Sequence, residues 1–148
     1  MVIASRYMNG AKSIDDTMIT KLGNKFFTSL ISRVTQFSYT DALVGYRMLR
    51  LSVIHELKLM DNELVYWKPE KILRTSLAWD PLLSLLLPIR GYSVSEYPIA
   101  ELPRIGGVEK KKNFLWGFGF LLWTLQVFYE DRVKKRAGQS KLSLTIFK

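Results

Sequence analysis

Sixteen consecutive residues, Phe114 to Tyr129, carry no formal charge and read FLWGFGFLLWTLQVFY. Such a run restricts the fold, because its apolar surface must be covered by protein or by lipid. As a helix rising about 1.5 Å per residue it covers roughly 24 Å, short of the ~30 Å hydrocarbon core of a bilayer. It is apolar on every side, which does not suit a half-wet surface helix. Lys110-Lys111-Lys112 precede it, and Arg132, Lys134, Lys135 and Arg136 follow it. Aromatics at both ends with basic flanks fit a helix lying in, or dipping into, a membrane interface. The alternative is a core helix covering a sheet. The sequence predicts the interface helix over residues 113–137, with residues 138–148 as a loosely ordered tail.

The charge is distributed in the same sense. The 148-residue chain is long enough for one core and one domain, and its net charge is +9. Residues 1–103 carry only +2 of this and residues 104–148 carry +7. A basic terminal third of this kind seeks nucleic acid, anionic lipid or a phosphorylated substrate. Cysteine is absent, which removes disulfide frameworks and thiolate metal sites. The opening residues Met1 to Arg6 meet a charge too early for a signal peptide. His55 is the only histidine, and no G-x-S-x-G, P-loop or dinucleotide fingerprint is present.

Several elements can be placed along the chain. Val2 to Tyr7 begins as a strand, and Asn9-Gly10 marks a turn. Met18, Ile19, Leu22, Phe26, Leu30 and Val34 keep helical spacing to about Thr35, with Ser13 or Asp15-Asp16 as the expected cap. A turn from Thr40 leads into a short strand near Arg47, and a short helix is expected over Leu51 to Leu59. Asp61-Asn62 turns the chain, Leu64 to Trp67 reads as extended, and Pro69 can start a helix. Asp80-Pro81 caps a helix over Leu82 to Ile89, ended by Pro88 and Gly91. The alternation Tyr92 to Glu96 reads as a strand.

After that strand comes Pro98-Ile99-Ala100-Glu101-Leu102-Pro103-Arg104-Ile105-Gly106-Gly107-Val108-Glu109-Lys110. The prolines stiffen the exit, and the glycine pair lets the backbone come close to a ligand. Arg104 can fork onto two phosphate oxygens, with lysines beside it. An ordinary basic surface loop fits the same residues. Asp41 can cap a turn or take part in catalysis, and Asp80 can be a helix cap or a base.

Together these motifs resemble family 2 glycosyltransferases, and among them the dolichol- and polyprenyl-phosphate sugar synthases, over about residues 2 to 112. Pro98, Arg104, Gly107 and Lys110 match the P-x5-R-x2-G-x2-K loop that closes the active site, with Glu109 where the family usually has Ser. Ser5-Arg6-Tyr7 is similar to the family's strand-end motif, whose arginine contacts the lipid phosphate of the acceptor. Thr20, Lys21 and Asn24 match a Ser-Arg-x-x-Asn element whose hydroxyl and cation also face that phosphate. Asp41 with Gly45-Tyr46-Arg47 matches D-x3-G-[FY]-[RK], and Asp80 holds the place of an aspartate that takes the proton of a hydroxyl acceptor. Trp79 stands where the family has Glu.

The resemblance implies an α/β chain with a partial nucleotide-diphospho-sugar transferase (GT-A-like) fold. Residues 1–112 would be its acceptor-side half, from a truncated gene, a split gene or a partial chain. The complete enzyme would move a sugar from a nucleotide-sugar donor to a membrane-linked acceptor, either a polyprenyl phosphate or a glycan. A divalent metal, Mg or Mn, would serve only that complete enzyme, through aspartates outside this chain. A separate chain could carry the donor half. The expected location is the cytoplasmic face of a membrane, held through Phe114–Tyr129, with no nucleic-acid partner. A non-enzymatic basic module at a membrane or on nucleic acid is the alternative.

Overall fold

The computed structural model describes residues 1–11, 13–14, 16–57, 80–102, 106 and 113–136. The turn, extended segment and helix start read between Asp61 and Pro69, and the tail at 138–148, lie outside the described residues. The chain is mixed α/β, built on a small three-stranded sheet of order β2-β1-β3. Strand β1 is Val2–Ser5, the central strand, with Ile3 and Ser5 turned into the core. Strand β2, Arg47–Met48, pairs with it antiparallel, and β3, Ser95–Pro98, pairs parallel in the register Val2↔Ser95 to Ser5↔Pro98. A parallel partner requires a crossover, and the intervening helices supply it.

Helix α1 runs Met18–Thr35. Its cap is Thr17, whose hydroxyl accepts from the Thr20 amide at 3.2 Å, and not Ser13 or the aspartate pair. Ser13 instead makes a bridge to Glu101, and Asp16 turns toward Arg6 and Tyr7. The helix is also rotated relative to its apolar spacing. It buries Asn24, Thr28 and Ile31, while Met18, Ile19, Leu22 and Phe26 are 84%, 78%, 71% and 55% exposed. Hydrogen bonding of Asn24 to Asp41 and of the Ala42 amide to Thr28, between the helix and the loop after it, holds this rotation.

Helix α2, Leu51–Glu56, leads into the buried Leu57. Helix α3, Asp80–Ile89, is buried at every position from Pro81 to Leu87. Its Pro88 cannot donate to the carbonyl of Ser84, four residues back. The Tyr39 hydroxyl donates to that carbonyl instead, at 2.9 Å. The helix closes with Gly91 at φ +79°, whose amide meets Pro88 O at 2.9 Å while the Tyr92 amide meets Leu87 O at 3.0 Å. This paired 6→1 and 5→2 closure occupies Tyr92, so β3 starts at Ser95 and not at Tyr92 as the alternation predicts.

Helix α4, Asn113–Arg136, carries the uncharged run. Phe120, Trp123 and Val127, at i, i+3 and i+7, lie in one buried cluster with Ile3, Ile31, Leu82, Leu85 and Leu86. The Phe120 ring meets Phe27 of α1 edge-on at 5.5 Å and stacks on Trp116 at 5.5 Å. One face of this helix is therefore packed into the core, with Phe118, Leu125 and Tyr129 left on the outside. Among the described residues no helix is long and apolar enough to cross a membrane.

A core role predicts a specific stability pattern. Phe120→Ala or Trp123→Ala is expected to cost about 3–5 kcal/mol, and Leu125→Ala on the outer face less than about 1 kcal/mol. Urea denaturation of the three variants checks this. Equal small losses would mean that α4 is dispensable to the core.

Candidate functional site

The site is assembled at the carboxyl end of β1, where the side chains leaving a sheet converge on a crevice. Strand β1 delivers Arg6, the loop after α1 delivers Asp41, and both meet as an ion pair. Arg6 Nε donates to Asp41 Oδ2 at 2.7 Å and Nη2 donates to Oδ1 at 3.1 Å. The Arg6 amide adds a third bond to Oδ2 at 3.2 Å, and Asn24 Nδ2 of α1 a fourth, to Oδ1 at 2.9 Å. A carboxylate offers about four acceptor positions, and here all are used. Asp41 is also wholly buried.

The other end of the Arg6 fork is equally engaged. Nη1 donates to Glu101 Oε2 at 3.2 Å and lies 3.7 Å from Asp16 Oδ1. Burial by itself lowers the pKa of this guanidinium. The hydrogen bonds and charge of Asp41, with Asp16 adding, outweigh that cost and hold it above its ordinary value. Tyr7 is tied to the same cluster through a hydrogen bond from its hydroxyl to Asp16. Burial, then that bond and the Asp16 charge, push its phenol up, so near neutral pH it is a neutral donor.

Glu96 of β3 secures the loop from behind. Its carboxylate accepts from the Thr40 amide at 2.8 Å, the Thr40 hydroxyl at 3.0 Å and the Asp41 amide at 2.9 Å. On the helix side, Thr28 donates to Asn24 Oδ1 at 2.9 Å and accepts from the Ala42 amide at 3.1 Å. Arg47 folds back beneath the same loop, donating to Ala42 O and Val44 O at 2.8 Å and to Ser84 Oγ at 2.6 Å. Burial lowers its pKa to about 10, so it stays charged at neutral pH.

Two features of this geometry bear on the residues nominated from sequence. Arg6 does not present a free fork to an acceptor phosphate, because three carboxylates already face it. Asp41 is not arranged for proton transfer, because its oxygens are saturated and shielded from solvent. Asp80 opens α3 and is half-buried, with its Oδ2 toward Gly45, where an added Cβ would lie 3.6 Å away. It does not line the groove described next. His55 is exposed on α2. Arg104, Gly107 and Lys110 lie outside the described residues. The chain approaches them through Glu101, whose carboxylate bonds both Arg6 and Ser13.

Beside the cluster lies an open groove of about 570 Å³ between α1 and the loop 38–40. Lys21 and Lys25 stand on its wall with Tyr7, and hydroxyls of Ser29, Ser32 and Thr40 line it. Neither lysine has an ion-pair partner among the described residues. Lys21 and Asn24 were expected at a binding site, but Asn24 spends its amide on Asp41 and Thr28. Thr20 turns back onto the Thr17 carbonyl at 2.9 Å. Lys25, Ser29 and Ser32 were missed. Their signal was a polar stripe at 21, 25, 28, 29 and 32, which is one face of a helix.

A metal does not fit here. Asp16, Asp41 and Glu101 converge on the guanidinium of Arg6, which fills the position a cation would take. Among the described residues no group of three or more His, Cys, Asp or Glu could hold a metal ion. No family model, curated protein or solved structure matches the chain.

The saturation of Asp41 has a measurable consequence. Asp41→Asn is expected to cost about 3–5 kcal/mol of stability, because it strands the buried Arg6 fork. Glu96→Gln, which removes charge and one of the amide contacts, is expected to cost about 1–2 kcal/mol. Denaturant midpoints measure both. An Asp41→Asn protein as stable as the parent would return Asp41 to consideration as a reactive group.

Proposed function

We propose that the chain is the acceptor-side half of a family 2 glycosyltransferase with a GT-A-like nucleotide-binding fold, peripheral to the cytoplasmic face of a membrane. The complete enzyme transfers a sugar from a nucleotide-sugar to a polyprenyl phosphate or a glycan in glycan biosynthesis. The observation that carries this reading is the groove beside Arg6, lined by two lysines without an ion-pair partner among the described residues and by a row of hydroxyl residues. A phosphate needs cations, and the groups around it need hydroxyl donors and acceptors. Lys21 and Lys25 take the phosphate contact that the resemblance assigns to Arg6. Arg6 instead holds the wall of the groove through Asp41 and Asn24. Arg104, Gly107 and Lys110 are proposed to close over the donor phosphates.

The chemistry favours a phosphate acceptor over a hydroxyl one. In transfer, an acceptor oxygen attacks the anomeric carbon while the bond to the nucleoside diphosphate breaks. A hydroxyl must lose its proton during that attack, and a base must receive it. A phosphate oxygen is already anionic near neutral pH and requires only orientation. Neither Asp41, which is saturated, nor Asp80, which lies off the groove, is arranged as a base toward it.

Calorimetric titration with geranyl phosphate and with geraniol tests the reading. The phosphate is expected to bind about tenfold or more tightly than the alcohol, and Lys21→Gln/Lys25→Gln to weaken it about fivefold or more, screened as exposed lysines are. Equal binding of phosphate and alcohol, or unchanged affinity in the double variant, would remove the groove from consideration as a phosphate site.

A further inference from the structure

The outward face of α1 is the surface with the least ordinary composition. Met18, Ile19, Leu22 and Phe26 are each more than half exposed and share one arc of the helix. At about 100° per residue, they fall within roughly a third of the circumference. Phe26 is set edge-on against Phe27 at 5.2 Å, which keeps its ring from folding away. Just before the helix, Ile14 is 64% exposed, and its amide bonds Glu101 O at 3.3 Å, so the 75% exposed Leu102 sits beside it. A contiguous apolar face on a protein surface marks a docking site.

The charges identify the partner. Helix α1 contains Lys21, Lys25 and Arg33 and no carboxylate. All three cations are exposed, and the lysines stand along one margin of the apolar arc. Asp16, upstream, is turned inward onto Arg6 and Tyr7. An apolar arc bordered by cations is the pattern of a helix lying in the plane of an anionic lipid surface, side chains in the acyl region and ammonium groups among headgroup phosphates. A second copy of the chain is a poorer match. A two-fold contact is self-complementary in position, so it would bring two rows of cations into one interface.

We propose that the outer face of α1 docks the protein onto an anionic bilayer. This deepens the peripheral-membrane reading above and replaces its anchor. The uncharged run in α4 commits Phe120, Trp123 and Val127 to the core, whereas the α1 arc is committed to nothing within the described residues. The docking geometry also places the lysine-lined groove along the edge of the membrane-facing surface.

The test is co-sedimentation of the full chain with phosphatidylcholine vesicles, with and without equal parts of phosphatidylglycerol, in the absence of donor and acceptor. Its outcome is therefore separate from phosphate binding in the groove. The protein is expected to bind the anionic vesicles, to bind neutral ones about tenfold or more weakly, and to be released by salt. Ile19→Ser/Leu22→Ser is expected to weaken binding about tenfold or more, since two inserting side chains are lost. Phe118→Ser/Leu125→Ser on the outer face of α4 is expected to retain binding within about twofold. All four substituted side chains are exposed, and circular dichroism checks that each variant is folded. The proposal is overturned if the parent chain ignores anionic vesicles, or if only the α4 variant loses binding. It is also overturned if the parent is a dimer that Ile19→Ser/Leu22→Ser converts to a vesicle-indifferent monomer.

Discussion

The ion pair of Arg6 and Asp41 is the contact on which the candidate site depends. It joins the end of the central strand to the loop after α1, and through Asn24 it reaches the helix itself. A buried carboxylate without partners is costly, so the loop can hold Asp41 inside only while Arg6 and Asn24 satisfy it. Glu96 then fixes the backbone of the same loop from the neighbouring strand. The groove is the space left between this braced loop and the polar flank of α1.

Helix α3 supplies the matching apolar support. Its residues from Pro81 to Leu87 are all buried, and it packs against α1 and α4, so it gains nothing from amphipathic patterning. The polar atoms it must bury are accounted for one by one. Ser84 Oγ donates to Ala42 O at 2.7 Å and accepts from Arg47, and the carbonyl that Pro88 leaves unbonded is taken by Tyr39. Asp41, Arg47 and Ser84, which lie within the motifs read from sequence, here hold the architecture, with Tyr39 beside them. The D-x3-G-[FY]-[RK] match is a brace: Arg47 serves carbonyls, and Asp41 serves Arg6.

Much of the secondary structure was legible from local chemistry. The Asn9-Gly10 turn takes positive φ at both residues, and α1 and α3 end at Thr35 and Ile89 as their spacing and stop signals require. The strand at Arg47 and the helix from Leu51 follow the turn chemistry around them. What failed depended on hydrogen-bond partners that spacing alone does not show. The cap moved to Thr17 because Ser13 was claimed by Glu101, and β3 slipped by three residues because Tyr92 was needed to close α3. Of the site residues read from sequence, Arg6, Asn24 and Asp41 are joined by hydrogen bonds, and Lys21 stands on the groove beside them. Sequence did not reveal that Arg6 and Asp41 satisfy each other, while Lys21 and Lys25 have no ion-pair partner among the described residues.

Two faces show where sequence ends and tertiary structure begins. Periodicity determined that residues 18–35 form a helix and that the uncharged run from Phe114 forms another, because spacing and backbone hydrogen bonding are local matters. Which face of each helix turns inward was decided only by the fold. The uncharged run went into the core through Phe120, Trp123 and Val127, although composition favoured lipid. Helix α1 turned its leucine and phenylalanine arc outward, although composition favoured the core. The reason is hydrogen bonding: Asn24 and Thr28 have buried partners in Asp41 and Ala42 that no outward rotation could reach. Leaving the buried Asp41 without these partners would cost several kilocalories per mole.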